Sequence, residues 1–409
     1  MIRQASFPIL LLSGPVLALA TKGFTVILAI AGVAAIIALS FHRPSQRANW
    51  RDLSAVVMAA FAYMLGSAFW GISERAFDTI ARLVLVVSFT YAVIAVFKNL
   101  SDDQKTRWAS GLRWSLGIGI FAAAIIGPYN VYWPGAADLL HAHFELIRQV
   151  NNSLTILPAF LFIFLGSWQG ARHWLQALII AAICGVTFVS ESQTSFLAML
   201  LALIAFGLAK ISLPLCRHLI FASLAVCTLA SPVIFNAAYQ GKWVANFAPQ
   251  IVTERASGEL REWIYYVYAE ETTNRPLFGH GINGTKNFKP ADLKAYIALT
   301  KDDPPLQTIA RTSTQSGAVA AHAHNLFLQL IFEFGYVGTL LILAAVWRIL
   351  AWLDEHVDTY QAPYYWAAIA ASLAPVLFGV TLWHSWFMTA FGCLVIFTHM
   401  CGELGRRAG

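Results

Sequence analysis

The sequence predicts an all-α, polytopic integral membrane protein, and three observations carry that prediction. Hydrophobic residues make up 58% of the 409-residue chain and charged ones only 12%, where an ordinary soluble domain carries roughly 25% charged. Mean hydropathy is +0.63. The apolar residues fall in runs near the roughly 20 residues that a bilayer crossing needs, separated by short connectors rich in Lys and Arg. A soluble enzyme of this length would need several cores and far more charged surface. Disordered chains and repeat arrays on a polar scaffold are excluded on the same grounds.

Taken in order, twelve runs qualify as spans: residues 6–20, 24–41, 54–72, 77–97, 114–127, 153–168, 174–189, 195–210, 213–235, 325–352, 362–380 and 385–401. The first also resembles a signal peptide, with Arg3, a short apolar stretch and Ala18-Leu19-Ala20. Both readings put the N-terminus inside, and retention as a span is the reading taken. The inside connectors then hold fourteen Lys and Arg, while the short outside connectors hold Lys22, Arg75 and Arg148. That bias is the positive-inside rule. It also explains the net charge of +6, so no nucleic-acid partner is implied. The five cysteines lie in apolar stretches at no metal-ligand spacing and read as small buried hydrophobes.

This topology divides the chain into residues 1–235 with nine spans, a large outside loop at 236–324, and residues 325–409 with three spans. The loop carries nine basic and eight acidic residues, the mixture of a wet, folded unit. A smaller outside segment, 128–152, opens with the aromatic cluster Pro128-Tyr129-Asn130-Val131-Tyr132-Trp133, suited to the headgroup layer. A helical stretch from about Ala136 follows and ends at Arg148. There Arg148 either caps its own helix C-terminus or faces an anionic headgroup.

In the large loop, helical spacing over 259–271 places Arg261, Tyr265 and Tyr268 on one face, and Asn274-Arg275-Pro276 ends the helix. The next stretch, Gly279-His280-Gly281-Ile282-Asn283-Gly284, is a literal GxGxxG. A helix precedes it where a dinucleotide fingerprint needs a strand, so a Rossmann reading is rejected. A tight turn whose amides face an anion is the reading that survives at Gly279 and Gly281. The acidic doublets Glu270-Glu271 and Asp302-Asp303 read as solvated surface, with a divalent-ion site as the alternative.

The loop closes on Ala321-His322-Ala323-His324-Asn325. In the following span Asn325, Gln329 and Glu333 recur at i, i+4 and i+8, three polar groups on one face of an apolar helix. Polar groups in a span face a cavity or another helix and are functional candidates, and histidine moves protons near neutral pH. Structural glue and an interfacial His322 and His324 are the alternative. Gly335 and Gly338 are expected to let a neighbouring helix approach. Other ionisable residues in or near spans are Arg82, which can snorkel outward, Glu191, and His384 at the mouth of the last span. No pair of broken helices in matching halves suggests a transporter.

His324-Asn325-Leu326-Phe327-Leu328-Gln329, continued by Glu333-Phe334-Gly335-Tyr336-Val337-Gly338, resembles the H-N-x-x-L-Q…E-x-G-x-x-G signature of bacterial O-antigen ligases and related polymerases. Arg261, Tyr265, Pro276, Gly279 and Gly281 fall at the spacing of that family's R-x-x-x-W…P-x-x-G-x-G pattern, with Tyr265 where Trp is usual. Arg148 followed by Asn151-Asn152 is similar to its Arg…Asn element, whereas Ser192-Gln193-Thr194 departs from the usual Ser-Arg. The resemblance implies a GT-C-like, metal-independent inverting glycosyltransferase of the bacterial inner membrane, working on the periplasmic face without a cofactor. Its partners would be an undecaprenyl-diphosphate-linked glycan donor, a lipid A–core acceptor and membrane lipids. Arg261 and Arg148, with Arg82 a further candidate, would hold the diphosphate. His324, or else His322, would be the general base, and Asn325 would orient the ring or the acceptor. A polymerase joining two lipid-linked glycans is the alternative activity of the same family.

Overall fold

The computed structural model describes residues 4–406 except 20, 42–54, 133–143, 169–171, 191, 244–245, 247–257, 287, 302–303, 315–317, 321–322 and 379. At 127–132, 144–149 and a few single helical positions only the backbone is described. In hydrocarbon every backbone N–H and C=O must be satisfied within the chain. The described residues accordingly form helices and no strand. They are α1 (Phe7–Leu10), α2 (Ser13–Leu19), α3 (Gly23–Phe41), α4 (Ala55–Gly66, continued by a 3-10 turn at Ser67–Phe69), α5 (Ala76–Lys98), α6 (Asp102–Tyr132), α7 (Phe144–Ser167) and α8 (His173–Val189). Then follow α9 (Gln193–Ile211), α10 (Leu213–Gln240), α11 (Gly258–Thr272), α12 (Leu293–Ala298), α13 (Pro304–Ser313), α14 (Leu326–His356), α15 (Ala362–Phe378) and α16 (Ser385–Arg406).

Eight of these are long and apolar enough to cross a membrane: α3, α5, α6, α7, α9, α10, α14 and α16. Shorter apolar helices occupy Phe7–Leu19, Ala55–Phe69, His173–Val189 and Ala362–Leu377, at the other four positions where the sequence predicts spans. Two boundaries differ from expectation for local reasons. Helix α6 starts at Asp102 because Ser101 and Gln104 form a capping box, with the Ser101 amide on Gln104 Oε1 at 3.2 Å and the Gln104 amide on Ser101 Oγ at 3.4 Å. Lys105, Arg107 and Arg113 therefore sit on α6 and not in a connector. Helix α7 starts at Phe144 and runs unbroken past Asn151-Asn152 into the span. Arg148 thus lies within a helix that continues past it into the span, and the C-terminus expected there for it to cap does not occur.

Helix α7 is the hub of the bundle. Of its most apolar window 83% of residues are buried, against 17% for α10 at the periphery. Phe160 explains this: its ring stacks on Phe24 at 5.4 Å and meets Phe397 at 5.7 Å, joining α3, α7 and α16. At the far end from the loop, Arg217 pairs with Asp354 at 2.8 Å and lies over the Trp347 ring, while Trp366 Nε1 donates to Asp354 Oδ1 at 3.2 Å. That cluster ties α10, α14 and α15.

The 236–324 segment has its own core. Trp263, Tyr268, Phe288, Val319 and Ala323 bury against one another and against Leu328 and Phe332 of α14. Tyr268 Oη donates to the Thr285 carbonyl at 2.7 Å, and Trp263 Nε1 to that of Tyr296 at 3.1 Å. Helix α14 is therefore shared between the bundle and the loop unit.

Candidate functional site

Helix α14 is broken. Gly335 has φ 61° and ψ −173°, a conformation essentially closed to residues with a Cβ. A break frees backbone groups that cannot stay unpaired away from water. The turn at residues 276–281 supplies the partners. The amides of His280 and Gly281 donate to the carbonyls of Phe332 and Glu333 at 2.8 and 2.7 Å. The amides of Tyr336 and Val337 donate to Pro276 and Leu277 at 2.8 and 3.1 Å, and Tyr63 Oη donates to the Phe334 carbonyl at 3.1 Å.

This closeness is what the glycines permit. A Cβ on Gly279 would stand 2.5 Å from the Glu333 carbonyl oxygen, and one on Gly335 would stand 2.4 Å from Leu277 backbone. The anion reading of the GxGxxG turn is corrected accordingly. The amides of Gly279, His280, Gly281 and Ile282 bond to Arg275, Phe332, Glu333 and Ser67 Oγ, so none faces a ligand. Gly281 lies against Gly71, whose Cα would be 2.3 Å from an added Cβ. Gly338 does accommodate a neighbour, the Tyr63 ring, whereas Gly335 serves the break.

Two residues before the break, the polar stripe closes on Glu333, which is fully buried. Its Oε1 accepts from Thr285 Oγ1 at 2.7 Å, the Thr285 amide at 3.3 Å and Gln329 Nε2 at 3.1 Å, and its Oε2 from Trp383 Nε1 at 2.6 Å. Gln329 in turn donates to Thr381 Oγ1 at 2.8 Å. Burying a carboxylate is expensive unless hydrogen bonds compensate, and here they do. The knot ties the loop, α14 and the 381–383 turn. Thr285, Thr381 and Trp383 carry no local signal in the sequence and were not expected. His280, which stacks on Phe332 at 4.2 Å and contacts the Glu271 carbonyl at 3.2 Å, belongs to the same packing. Burial first, and the charge of Arg275 after it, hold its pKa below the ordinary imidazole value despite the Glu271 contact.

At the start of α14 the arrangement differs. Asn325 is extended and caps the helix, its Oδ1 accepting from the Leu328 amide at 3.2 Å. His324, just before it, is half-buried and has φ 52°, a left-handed conformation uncommon for a side-chain-bearing residue. Tyr265 of α11 reaches this corner and donates to the His324 carbonyl at 3.2 Å. Its hydroxyl also contacts Asn325, and burial raises its pKa against the lowering effects of Arg261 and that Asn325 contact. Arg261 lies one turn before Tyr265 on the same face of α11. The structure thus brings together four residues read from the sequence: Arg261, Tyr265, His324 and Asn325. Their chemistry is a cation, a hydroxyl, an imidazole and an amide at the mouth of a membrane helix.

The remaining sequence candidates fall elsewhere. Arg82 is paired with Asp78 one turn earlier on α5, apart from this corner. The Arg148 side chain, His322, Glu191 and Asp302-Asp303 lie outside the described residues. Glu270 and Glu271 are not solvated surface. Asn236 Nδ2 donates to Glu270, and Tyr296 Oη and Asn274 Nδ2 donate to the two Glu271 oxygens at 3.1 and 2.7 Å. Both carboxylates are hydrogen-bond acceptors within the loop unit.

The comparisons agree with the motif reading. A family model described as O-antigen ligase matches residues 176–343, a stretch that includes α11, the 276–286 segment, the His324 corner and the break in α14. Proteins named "Putative polysaccharide ligase" from Rickettsia felis and Rickettsia conorii are similar. The first is 23% identical over 220 residues, 54% of this chain and 49% of the relative. The second is 26% identical over 184 residues, 44% and 39%. A third relative of that name, from Rickettsia prowazekii, is 24% identical over 201 residues. The chain spans about half the length of the curated relatives it matches, or less.

Proposed function

We propose, from the O-antigen ligase family model that matches residues 176–343 and the similar polysaccharide ligases, that the chain is an O-antigen ligase family member that transfers an O-antigen polysaccharide from undecaprenyl diphosphate to a sugar hydroxyl of lipid A–core on the periplasmic face of the inner membrane. The observation that carries the proposal is the convergence of Arg261 and His324 around Tyr265 at the entrance of α14. In the reaction the His324 imidazole takes the proton of the acceptor hydroxyl as its oxygen attacks the anomeric carbon. The bond from that carbon to the diphosphate breaks, and the lipid diphosphate leaves with the electron pair. One displacement inverts the anomeric configuration and needs no enzyme nucleophile. Arg261 faces the charge that develops on the leaving group, where a planar guanidinium offers two parallel hydrogen bonds. Arg148 is the second cation proposed for the diphosphate. The partners are the carrier-linked donor, lipid A–core and membrane lipids, with no cofactor or metal ion.

The test is transfer by purified protein given carrier-linked glycan and lipid A–core. Arg261→Ala is expected to abolish product while inserting normally. Arg261→Lys rescues poorly, because a point charge replaces a planar fork. A lysine variant as active as wild type would overturn the bidentate role. Activity lost in EDTA and restored by magnesium or manganese would overturn the metal-independent mechanism.

A further inference from the structure

A second concentration of positive charge lies where the loop unit meets the start of α5. The contact that builds it is Asn283 Nδ2 donating to Thr79 Oγ1 at 2.9 Å. Arg75 and Arg82 stand one turn on either side of Thr79 on the same face of α5. Lys286 comes in from the loop, one turn after Asn283, its amide on the Asn283 carbonyl at 3.1 Å. The Ile72 amide donates to the His280 carbonyl at 3.0 Å, and the Ile282 amide to Ser67 Oγ at 3.0 Å, so both walls are fixed in place. Lys286 is half-buried, and its pKa is lowered by that burial, then by Arg75 and Arg82, with Asp78 opposing in part. Asp78 is already paired with Arg82, and the remaining acid of this turn, Glu74, is exposed.

Three cations stand here against two carboxylates, Asp78 paired with Arg82 and Glu74 in water, so positive charge is in excess. The positive end of α5 begins at Arg75, its N-cap residue, and adds to the same field. Asn283 is 2% exposed and has φ 60°, and its Oδ1 finds no partner among the described residues. That oxygen is an acceptor and takes no part in holding an anion; the side chain serves to fix the loop against Thr79 of α5. Around it the surface is apolar: Phe69, Ile72 and Phe77 are exposed. The same turn, through Trp70, also lines an open groove of about 610 Å³ with Tyr63, Arg275, Leu277 and Phe278. Cations set in lipid-facing aromatic surface suit an amphiphile with an anionic head.

We propose that Arg75, Arg82 and Lys286 form a site, distinct from the Arg261–His324 corner, that holds the dianionic phosphate head of a membrane lipid. A phosphate monoester or diphosphate carries about two negative charges near neutral pH on several terminal oxygens, so it can engage more than one of the three cations at once. A phosphodiester such as phosphatidylglycerol carries one. The site depends on the membrane reading of the chain and not on the transfer reaction, so a binding measurement without acceptor separates the two.

The test uses the full-length protein in phosphatidylcholine nanodiscs doped with undecaprenyl diphosphate, with a lipid A-type glycolipid bearing phosphate monoesters, or with phosphatidylglycerol. Bound lipid is read by native mass spectrometry. The expected result is retention of one of the dianionic lipids roughly tenfold or more above phosphatidylglycerol; which one identifies the source. Combined Arg75→Gln, Arg82→Gln and Lys286→Gln should bring it down to the phosphatidylglycerol level. Lys286→Gln alone should weaken it about threefold or more, with Lys286→Arg near wild type and the exposed Lys289→Gln unchanged. Two results overturn the proposal. One is no preference over phosphatidylglycerol; the other is retention within about twofold of wild type in both the combined variant and Lys286→Gln.

Discussion

Just ahead of the cap of α14 stands a half-buried histidine in a left-handed conformation, with a tyrosine hydroxyl on the histidine carbonyl. Nine residues further, about 13 Å along the axis, the same helix presents a carboxylate with no exposure and four donors on its two oxygens. In the first region the histidine is held through its backbone, by the Tyr265 hydroxyl on its carbonyl and by the Asn325 cap that follows it. In the second, every polar atom named is matched and the backbone interlocks with a loop far away in sequence. Catalytic groups must reach a substrate, so they are held from behind, through backbone and cap. The knot needs no access and is closed from all sides. On the proposed reaction, the difference separates the residues assigned to the chemistry from those that fix where it would happen.

The comparison breaks first at His324. A general base contributes about 10²–10⁴-fold, so His324→Ala should lower the transfer rate by roughly that factor with normal membrane levels and normal donor binding. His322→Ala should be much milder, because one imidazole serves one hydroxyl. Transfer rates of both variants at matched protein levels, with donor binding measured separately, decide it. A His324→Ala protein of near-normal rate, or one impaired in donor binding alone, removes the base assignment.

At the knot the expected loss is stability. Gly335→Ala places a Cβ against Leu277 backbone in a conformation reserved for glycine. Strain and overpacking together cost roughly 2–6 kcal/mol. Folded protein recovered by size exclusion should fall sharply, while the fraction that folds should still bind donor. Glu333→Gln is gentler. It replaces one acceptor oxygen by an amide, leaving the Trp383 or the Thr285 donor facing another donor, at about 1–3 kcal/mol. A lower melting temperature with near-normal rate per folded molecule is the outcome that keeps chemistry and scaffold apart. A rate loss with unchanged melting would move Glu333 into the reaction.

The two regions were unequally legible. The stripe Asn325, Gln329, Glu333 is visible because helical period alone aligns it, and run length alone locates the apolar helices. Arg261 and Tyr265 could be placed on one face for the same reason. The partners of Glu333 could not, since Thr285 lies 48 residues away and Trp383 lies 50, and pairing across such distances leaves no periodic trace. The GxGxxG turn shows the converse error. Its glycines suggested amides open to an anion, but their use depends on a glycine inside a span, Gly335, whose break exposes the carbonyls they serve. The early start of α6 was written locally, in Ser101-x-x-Gln104, and lay before the apolar run that marked the span.

The smallest expected effect falls between the two regions, at Tyr265. Its ring packs on Phe235 at 4.9 Å and is nearly buried, which Tyr265→Phe preserves. Only the hydroxyl goes, and with it the bond to the His324 carbonyl and the contact with Asn325. A neutral hydrogen bond contributes about 0.5–1.5 kcal/mol net, which converts to a loss of roughly two- to tenfold if all of it serves to hold His324 in place. Because the bond is to the backbone, the variant leaves the imidazole itself intact. The rate should therefore fall modestly, while the pH dependence of transfer keeps its shape and only its height changes. Melting temperature should move little, since Asn325 still caps α14. A Tyr265→Phe protein with a displaced pH profile would mean that the hydroxyl touches the proton being moved, and the tyrosine would then belong to the chemistry it is here argued only to position.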